Sequence, residues 1–288
     1  MKKFKEISFK SITYISSLFT IFFLFGIILS IFYEGIPIFQ YVSVKNFLTG
    51  SAWHPTHSTP DYGILALISG SFMVTLGALI IAIPFGLGSA IYISEIAGFR
   101  TKEILKPIIE LLASIPSVIY GLFGLAFLSP MLIKIFKIPT GLNVFSASII
   151  LGVMVIPIIS SMSEDALSTV PKNLREASLA LGANKWETIV RVVVPAARSG
   201  IMGSVILGFG RAVGETMVVL MVAGGAAQIP SGIFQPVRPM PATIAAEMGE
   251  TVIGSPHFHA LYGIAIILFV ITFVSILITE FIVRRRKM

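Results

Sequence analysis

The sequence predicts an all-α membrane protein that crosses the bilayer six times, and three observations predict it. First, 55% of the 288 residues are apolar and only 12% charged, where a soluble domain averages about 45–50% apolar and about 25% charged. That balance excludes an ordinary soluble enzyme and a disordered chain alike. Second, the apolar residues fall into six runs long enough to hold the roughly 20 residues that a helix needs to span hydrocarbon. Third, Lys and Arg gather in alternate connections between those runs. The chain has no cysteine, so it offers no disulfide, thiolate nucleophile or Cys metal site.

The first run, residues 11–33, holds 23 uncharged residues behind Lys2, Lys3, Lys5 and Lys10. It exceeds the apolar core of a cleaved signal peptide and no A-x-A site follows, so it reads as a retained first span. Residues 63–94 give 32 uncharged positions, and Pro84-Phe85-Gly86 near their end predicts a kink or break. Residues 111–133 form a third span and residues 138–163 contain a fourth. The fifth runs from near 199 to about 223 and is interrupted by Arg211 and Glu215. Residues 260–279 form the sixth, followed by Arg284, Arg285, Arg286 and Lys287. Segments 34–62 and about 224–259 are long enough for short interfacial helices.

Orientation follows from the basic residues. The N-terminus, residues 95–107, residues 164–198 and the C-terminus hold 16 of the 21 Lys and Arg. The opposite side holds Lys45, Lys134, Lys137 and Arg238, and Arg211 lies within a span. The positive-inside rule then places both termini in the cytoplasm. The net charge of +7 is thereby explained by topology, and no nucleic acid is implied.

Residues 163–195 carry the first informative pattern. Pro171 suits the first turn of a helix and Gly182 the position just past its end. Leu174, Ala177, Ser178 and Leu181 share one face, which leaves Lys172, Arg175 and Glu176 to solvent or a partner. Asn184 and Glu187 have the spacing of a capping box that starts a second short helix. On periodicity alone the segment is equally a plain solvated loop. However, Glu176-Ala177-Ser178, then Gly182, then Val192-x-Val194-Pro195 resembles the EAA---G---------I-LP loop of ABC importer permeases. Ser178 replaces the second Ala, and Val stands for Ile and Leu. In that family the loop is a coupling helix seated in a groove of the cytoplasmic ATPase. The resemblance therefore gives a coupling helix at about 171–182 and assigns Glu176, Ala177, Ser178 and Gly182 to ATPase coupling.

Further stretches extend the likeness: YGILALISGSFMVTLGALIIAIPFGLGSAIYISE, ELLASIPSVIYGLFGLAFLSP, SEDALSTVPKNLREASLALGA, LGFGRAVGETMVVLMVAGG and ATIAAEMGE. Together they resemble the PstC-type permeases of phosphate importers, from Tyr62 to about Glu250. The resemblance implies the type I ABC importer permease fold in a prokaryotic plasma membrane. It implies a second, PstA-like permease subunit, two PstB-like ATPase subunits and an extracytoplasmic, PstS-like phosphate-binding protein. It divides the chain into residues 1–62, a permease core at 63–283 and a basic tail at 284–288. A PstA-like role, or a permease for sulfate or molybdate, is the alternative.

The second pattern is Gly210-Arg211-Ala212-Val213-Gly214-Glu215. With the fifth span starting near Ile201, Arg211 lies about 15 Å along it, near mid-membrane. A charge there costs at least about 2.5–3.5 kcal/mol on insertion scales and normally faces a polar interior. Arg211 and Glu215, four apart, are expected on one helix face. Gly210-x-x-x-Gly214 is expected to let a partner helix approach closely. The pair reads as part of a substrate pathway, because a guanidinium matches an oxyanion, or as a structural bridge. The phosphate-permease resemblance favours the pathway.

Other polar groups read as structural. His257-x-His259 with Glu247 and Glu250, and His54-x-x-His57, lack the helical spacing of a zinc motif, and they read as exterior loop residues. Ser114, Ser117 and Tyr120 flank Pro116 and serve either a cavity or helix packing. No G-x-x-x-x-G-K-[ST] occurs, so no phosphate-cradling loop is encoded. The expectation is a transport subunit without cofactor, metal or catalytic site, driven by ATP hydrolysis in a partner.

Overall fold

The computed structural model describes residues 2–285. Most of the basic tail expected at 284–288 lies outside the described residues. Six helical stretches are long and apolar enough to cross a membrane: Ile12–Gln40, Leu65–Ile96, Ser117–Phe136, Val144–Ser168, Lys185–Val213 and Pro256–Ile278. The expected number of spans is met, and the boundaries of the third and fifth differ from expectation.

Helix α1 (Lys2–Gly35) leads into a 3-10 turn at Ile36–Gln40 and a short α2 (Val44–Thr49) capped by Ser43. A two-residue antiparallel ladder joins β1 (Trp53–His54) to β2 (Asp61–Tyr62). Helix α3 (Leu65–Ile91) passes through Pro84 without a break and ends in a wide turn at Tyr92–Ile96. The break expected at Pro84 is therefore absent. Gly86 lets α3 pack close against α7 just past Pro84: a Cβ on Gly86 would lie 2.8 Å from the Ile159 side chain.

Helix α4 (Phe99–Ser114) is amphipathic with no buried residue. It stops at Ile115-Pro116, so the third span begins at α5 (Ser117–Phe123) rather than at 111. The residue before a proline is pushed out of the helical region, and Ile115 is extended at ψ 128°. The span continues through a wide turn at Gly124–Leu128 into α6 (Ser129–Phe136). Ser114 donates to the Leu111 carbonyl and the Tyr120 hydroxyl to that of Leu112. They close the α4–α5 corner, which is the packing alternative.

Helix α7 (Val144–Ser168) is capped by Asn143 and leads to α8 (Lys172–Ala180) and α9 (Lys185–Thr188). Through a wide turn at Ile189–Val193, α9 runs directly into α10 (Val194–Val213). The fifth span thus starts at Lys185, not near 199. Arg191 and Arg198 interrupt the apolar pattern but not the helix. After α11 (Met217–Val222) and α12 (Met240–Glu247), which ends in a 3-10 turn at Met248–Glu250, α13 (Pro256–Arg285) is the sixth span.

The centre of the bundle is α3 against α7. Lipid is as apolar as a side chain, so helices in a bilayer associate through close packing rather than burial from water. Small residues supply it. A Cβ on Gly77 would lie 2.3 Å from the Ser148 hydroxyl oxygen, and one on Gly152 3.1 Å from the Ala78 carbonyl. Val74, Ala78 and Ala82 meet Leu151, Val155 and Ile159 there, with Val218 and Val222 of α11. A second core, Ile38, Phe47, Trp53, Ile64, Met240 and Leu261, builds a cap at one end of the bundle. A third, Ala90, Leu167, Val193 and Ala197, lies at the opposite, basic end.

Candidate functional site

Two polar places interrupt this apolar bundle. The first is the break between α10 and α11. Helix α10 ends because Gly214 caps it, with its N–H on the Gly210 carbonyl at 3.2 Å. Glu215 follows in the turn rather than on the same helix as Arg211, which corrects the expected common face. Its carboxylate accepts the N–H groups of Met217 at 3.1 Å and Val218 at 3.2 Å. Those are amides at the start of α11, where a negative charge is favoured.

Arg211 Nη2 reaches Glu215 Oε2 across the break at 3.4 Å, longer than the 2.7–2.9 Å of a tight charge-assisted bond. The Arg211 side chain is 48% exposed and that of Glu215 3%. Among the described residues Glu215 is the partner of Arg211, held at one point, so most of the guanidinium donors face open space. The helix that carries Arg211 begins at Lys185, which places Arg211 roughly 40 Å along it. It stands in the last turn of that helix, farther along it than the expected distance of about 15 Å.

The expected close-packing role of Gly210-x-x-x-Gly214 also fails within this chain. A Cβ on Gly210 would meet nothing within 4 Å, and one on Gly214 only the Gly210 carbonyl of its own helix. Gly203, also open, and the exposed Leu207 continue the same stripe toward Gly210 and Arg211. This stripe of α10 has no partner among the described residues.

The second place is the loop at the basic end. Pro171 stands at the N-cap of α8, one position before the expected first turn. Gly182 takes φ +86°, a left-handed conformation that suits glycine. The Gly182 N–H bonds the Leu179 carbonyl at 3.0 Å and the Ala183 N–H that of Ser178 at 3.2 Å, the paired bonds of a Schellman cap. The Asn184–Glu187 capping box is formed in both directions. The separate second helix expected there is instead the first turn of the fifth span.

No residue of α8 is buried. Leu174, Leu179 and Leu181 are exposed, Leu181 at 89%, with Trp186 beside them. Glu176 and Ala177 face outward. Ser178 differs: its hydroxyl pairs with that of Thr188 at 3.0 Å and ties α8 to α9.

Reading the sequence missed the ionic seat beneath α8. Arg175 pairs with Glu95, and Lys102 and Lys106 pair with the buried Glu164 at 2.5 and 2.8 Å. Lys106 also meets Asp165 at 2.6 Å. Those bonds raise the Lys106 ammonium above the ordinary lysine range. The stability they give is fully present below the ordinary lysine range and is lost as pH rises from that range through the raised folded-state value. No spacing signals these pairs, whose members lie 58 to 80 residues apart in sequence.

At the cap, Glu247 accepts from Trp53 Nε1 at 3.1 Å and Arg238 Nη1 at 2.6 Å, and pairs with His257 Nε2 at 2.9 Å. His257 is thus a partly buried member of a polar knot rather than a loose loop residue. His259 Nδ1 lies 2.7 Å from the Glu34 carbonyl, and His54 stacks on His57. Among the described residues no cluster of three His, Cys, Asp or Glu is arranged to hold a metal.

Six helices of spanning length define a polytopic membrane protein. Residues 82–288 match the family described as "Binding-protein-dependent transport system inner membrane component", and the chain belongs to that family. Such permeases work with another permease, an ATPase and a substrate-binding protein. The chain is 42% identical over 246 residues to a probable ABC transporter permease protein, YqgH, of Bacillus subtilis, covering 85% of this chain and 80% of that one. It is 38% identical over 259 residues to the phosphate transport system permease protein PstC of Mesorhizobium japonicum, covering 83% and 78%. The fold is that of importer permeases. A chain of a bacterial alginate ABC importer superposes at a TM-score of 0.65 with 16% identity, over 99% of both chains. One of the MetNI methionine ABC transporter in an inward-facing conformation gives 0.57 with 22% identity, over 77% and 94%.

Proposed function

We propose that this chain is the PstC-type permease subunit of an ATP-driven importer of inorganic phosphate. The single observation that carries the reading is Arg211, a half-exposed guanidinium held at one point by a buried, amide-bound carboxylate. An oxyanion approaching from the open side meets free planar donors without first breaking a bidentate salt bridge. Glu215 neutralises Arg211 while the site is empty and competes with the substrate during release. It also accepts a hydrogen bond from a protonated phosphate oxygen, which sulfate lacks.

The open stripe of Gly203, Leu207 and Gly210 supports a pathway shared with a second, PstA-like permease subunit. The basic end is the cytoplasmic one, both termini included. There the exposed apolar residues of α8 dock a PstB-like ATPase, with Glu176, Ala177 and Gly182 on or beside the contact and Ser178 bracing it from behind. Two such ATPases hydrolyse the ATP, and a PstS-like protein delivers phosphate to the cap. Residues 63–283 are the permease core in this reading.

The test is to purify the chain with its native partners and ask which oxyanion the binding protein retains. Inorganic phosphate, with an ATPase and a second permease in the same complex, is the expected result. Retained sulfate or molybdate would overturn the substrate.

A further inference from the structure

Helix α8 has no buried residue, so it has almost no packing through which to push on the bundle. Its hold on the rest of the chain is polar, and its charged part runs through Arg175. The guanidinium grips the Glu95 carboxylate at two points, Nε to Oε2 at 3.1 Å and Nη2 to Oε1 at 2.6 Å. The same side chain donates from Nη1 to the Val170 carbonyl at 2.5 Å and from Nη2 to the Leu167 carbonyl at 3.0 Å. The pair is largely shielded, with 22% of the Arg175 side chain and 8% of the Glu95 side chain exposed.

The partners of Arg175 belong to two different spans. Glu95 sits in the wide turn that ends α3, and Leu167 and Val170 lie at and just beyond the end of α7. One planar group therefore joins α8 to the ends of the two helices that pack at the centre of the bundle. A fork gripped at two points fixes orientation as well as distance, which a single ammonium does not. Close by, Lys102 and Lys106 of α4 hold Glu164 and Asp165 and brace the end of α7. A pull on Arg175 is then carried into α3 and α7 instead of fraying the last turn of α7. The other polar tie of α8 is the neutral Ser178–Thr188 bond to α9.

We propose that Arg175 is the positioning residue that transmits displacement of α8 to α3 and α7, with Glu95 as its anchor. This rests on the reading of α8 as the ATPase-docking helix. The two ideas separate experimentally, because docking is read from retained ATPase and transmission from phosphate imported per ATP hydrolysed.

The experiment uses the complete complex, reconstituted with its ATPase and binding protein and supplied with inorganic phosphate. Arg175→Ala is expected to keep its ATPase and to hydrolyse ATP, while phosphate imported per ATP falls about tenfold, a typical coupling factor. Glu95→Gln, which keeps the shape and one acceptor, is expected to fall less than Arg175→Ala. The exchange Glu95→Arg with Arg175→Glu is expected to recover part of the ratio lost in Arg175→Glu alone. A residue that only stabilised the fold would lower the amount of complex and leave the ratio intact. An unchanged ratio in Arg175→Ala would overturn the proposal. So would loss of the ATPase from Arg175→Ala, which would make Arg175 a docking contact. As a control, Leu181→Asp with Trp186→Asp should release the ATPase, and full retention there would remove the docking reading itself.

Discussion

The α8 loop and the α10–α11 break are both short polar interruptions in an apolar chain, and they are built in opposite ways. In the loop the backbone groups at the end of α8 are satisfied by sequence neighbours, through the Gly182 cap and the Asn184–Glu187 box, and the apolar side chains are turned outward. At the break the carboxylate is buried and satisfied by two amides, and the counter-charge is left half in the open. The difference teaches what each place offers. A loop satisfied from within presents a surface for another protein. A break with an under-held cation presents a site for a small anion.

On the loop side of this comparison the largest effect is expected at Gly182. Gly182→Asp puts a side chain and a negative charge at φ +86°, beside the exposed apolar face. Most side chains there cost roughly 1–2 kcal/mol, and the added charge is what separates Asp from Asn. ATPase retention is expected to fall about tenfold when measured by co-purification, with the permease still inserted. Gly182→Asn is the sharpening control, because Asn tolerates a left-handed position, and it should retain the ATPase within about twofold. Normal retention and normal uptake in Gly182→Asp would remove the loop from the mechanism.

A smaller effect is expected at Glu215. Glu215→Ala strands the Met217 and Val218 amides and should destabilise the purified complex by about 1–3 kcal/mol in thermal unfolding. Glu215→Gln keeps an acceptor oxygen in place and should cost under about 1 kcal/mol. Equal losses would show that charge, not amide satisfaction, holds the break.

These two regions differ as much in how they appear in sequence. The loop was readable: Gly182, Asn184 and Glu187 are capping residues at capping distances, and the bonds they make are local. The six spans were readable for the same reason, since apolar length alone sets them. The break was only half readable. Arg211 and Glu215 stand out as charges in an apolar run, but they do not share a helix face, because α10 ends between them. The start of the fifth helix was misplaced because Arg191 and Arg198 resembled a loop. Nor does a six-residue pattern reveal that the helix ends at Gly214. The Arg175–Glu95 and Lys102–Glu164 pairs and the Glu247 knot were invisible, because each joins residues that only the folded bundle brings together.

The smallest perturbation sharpens the assignment of ends. The chain has no cysteine, so single cysteines report cleanly. At Ser58 and Ser231, both exposed, a membrane-impermeant thiol reagent should label from outside. At Lys172 it should not. The reverse pattern would place the loop and its α8 face on the wrong side for an ATPase.

The most direct measurement is phosphate uptake by the assembled complex carrying Arg211→Gln, Glu215→Gln or both. Glu215 keeps its two amide donors when Arg211 is replaced, and Arg211 is half exposed when Glu215 is replaced, so all three complexes should assemble. Each single variant is expected to lose phosphate uptake by about 100-fold, in line with removal of one member of a functional charge pair. The double variant, which removes the donors for the oxyanion along with their counter-charge, should be equally inactive. Uptake restored in the double variant would show that Arg211 and Glu215 only bridge α10 to α11, and would contradict the pathway.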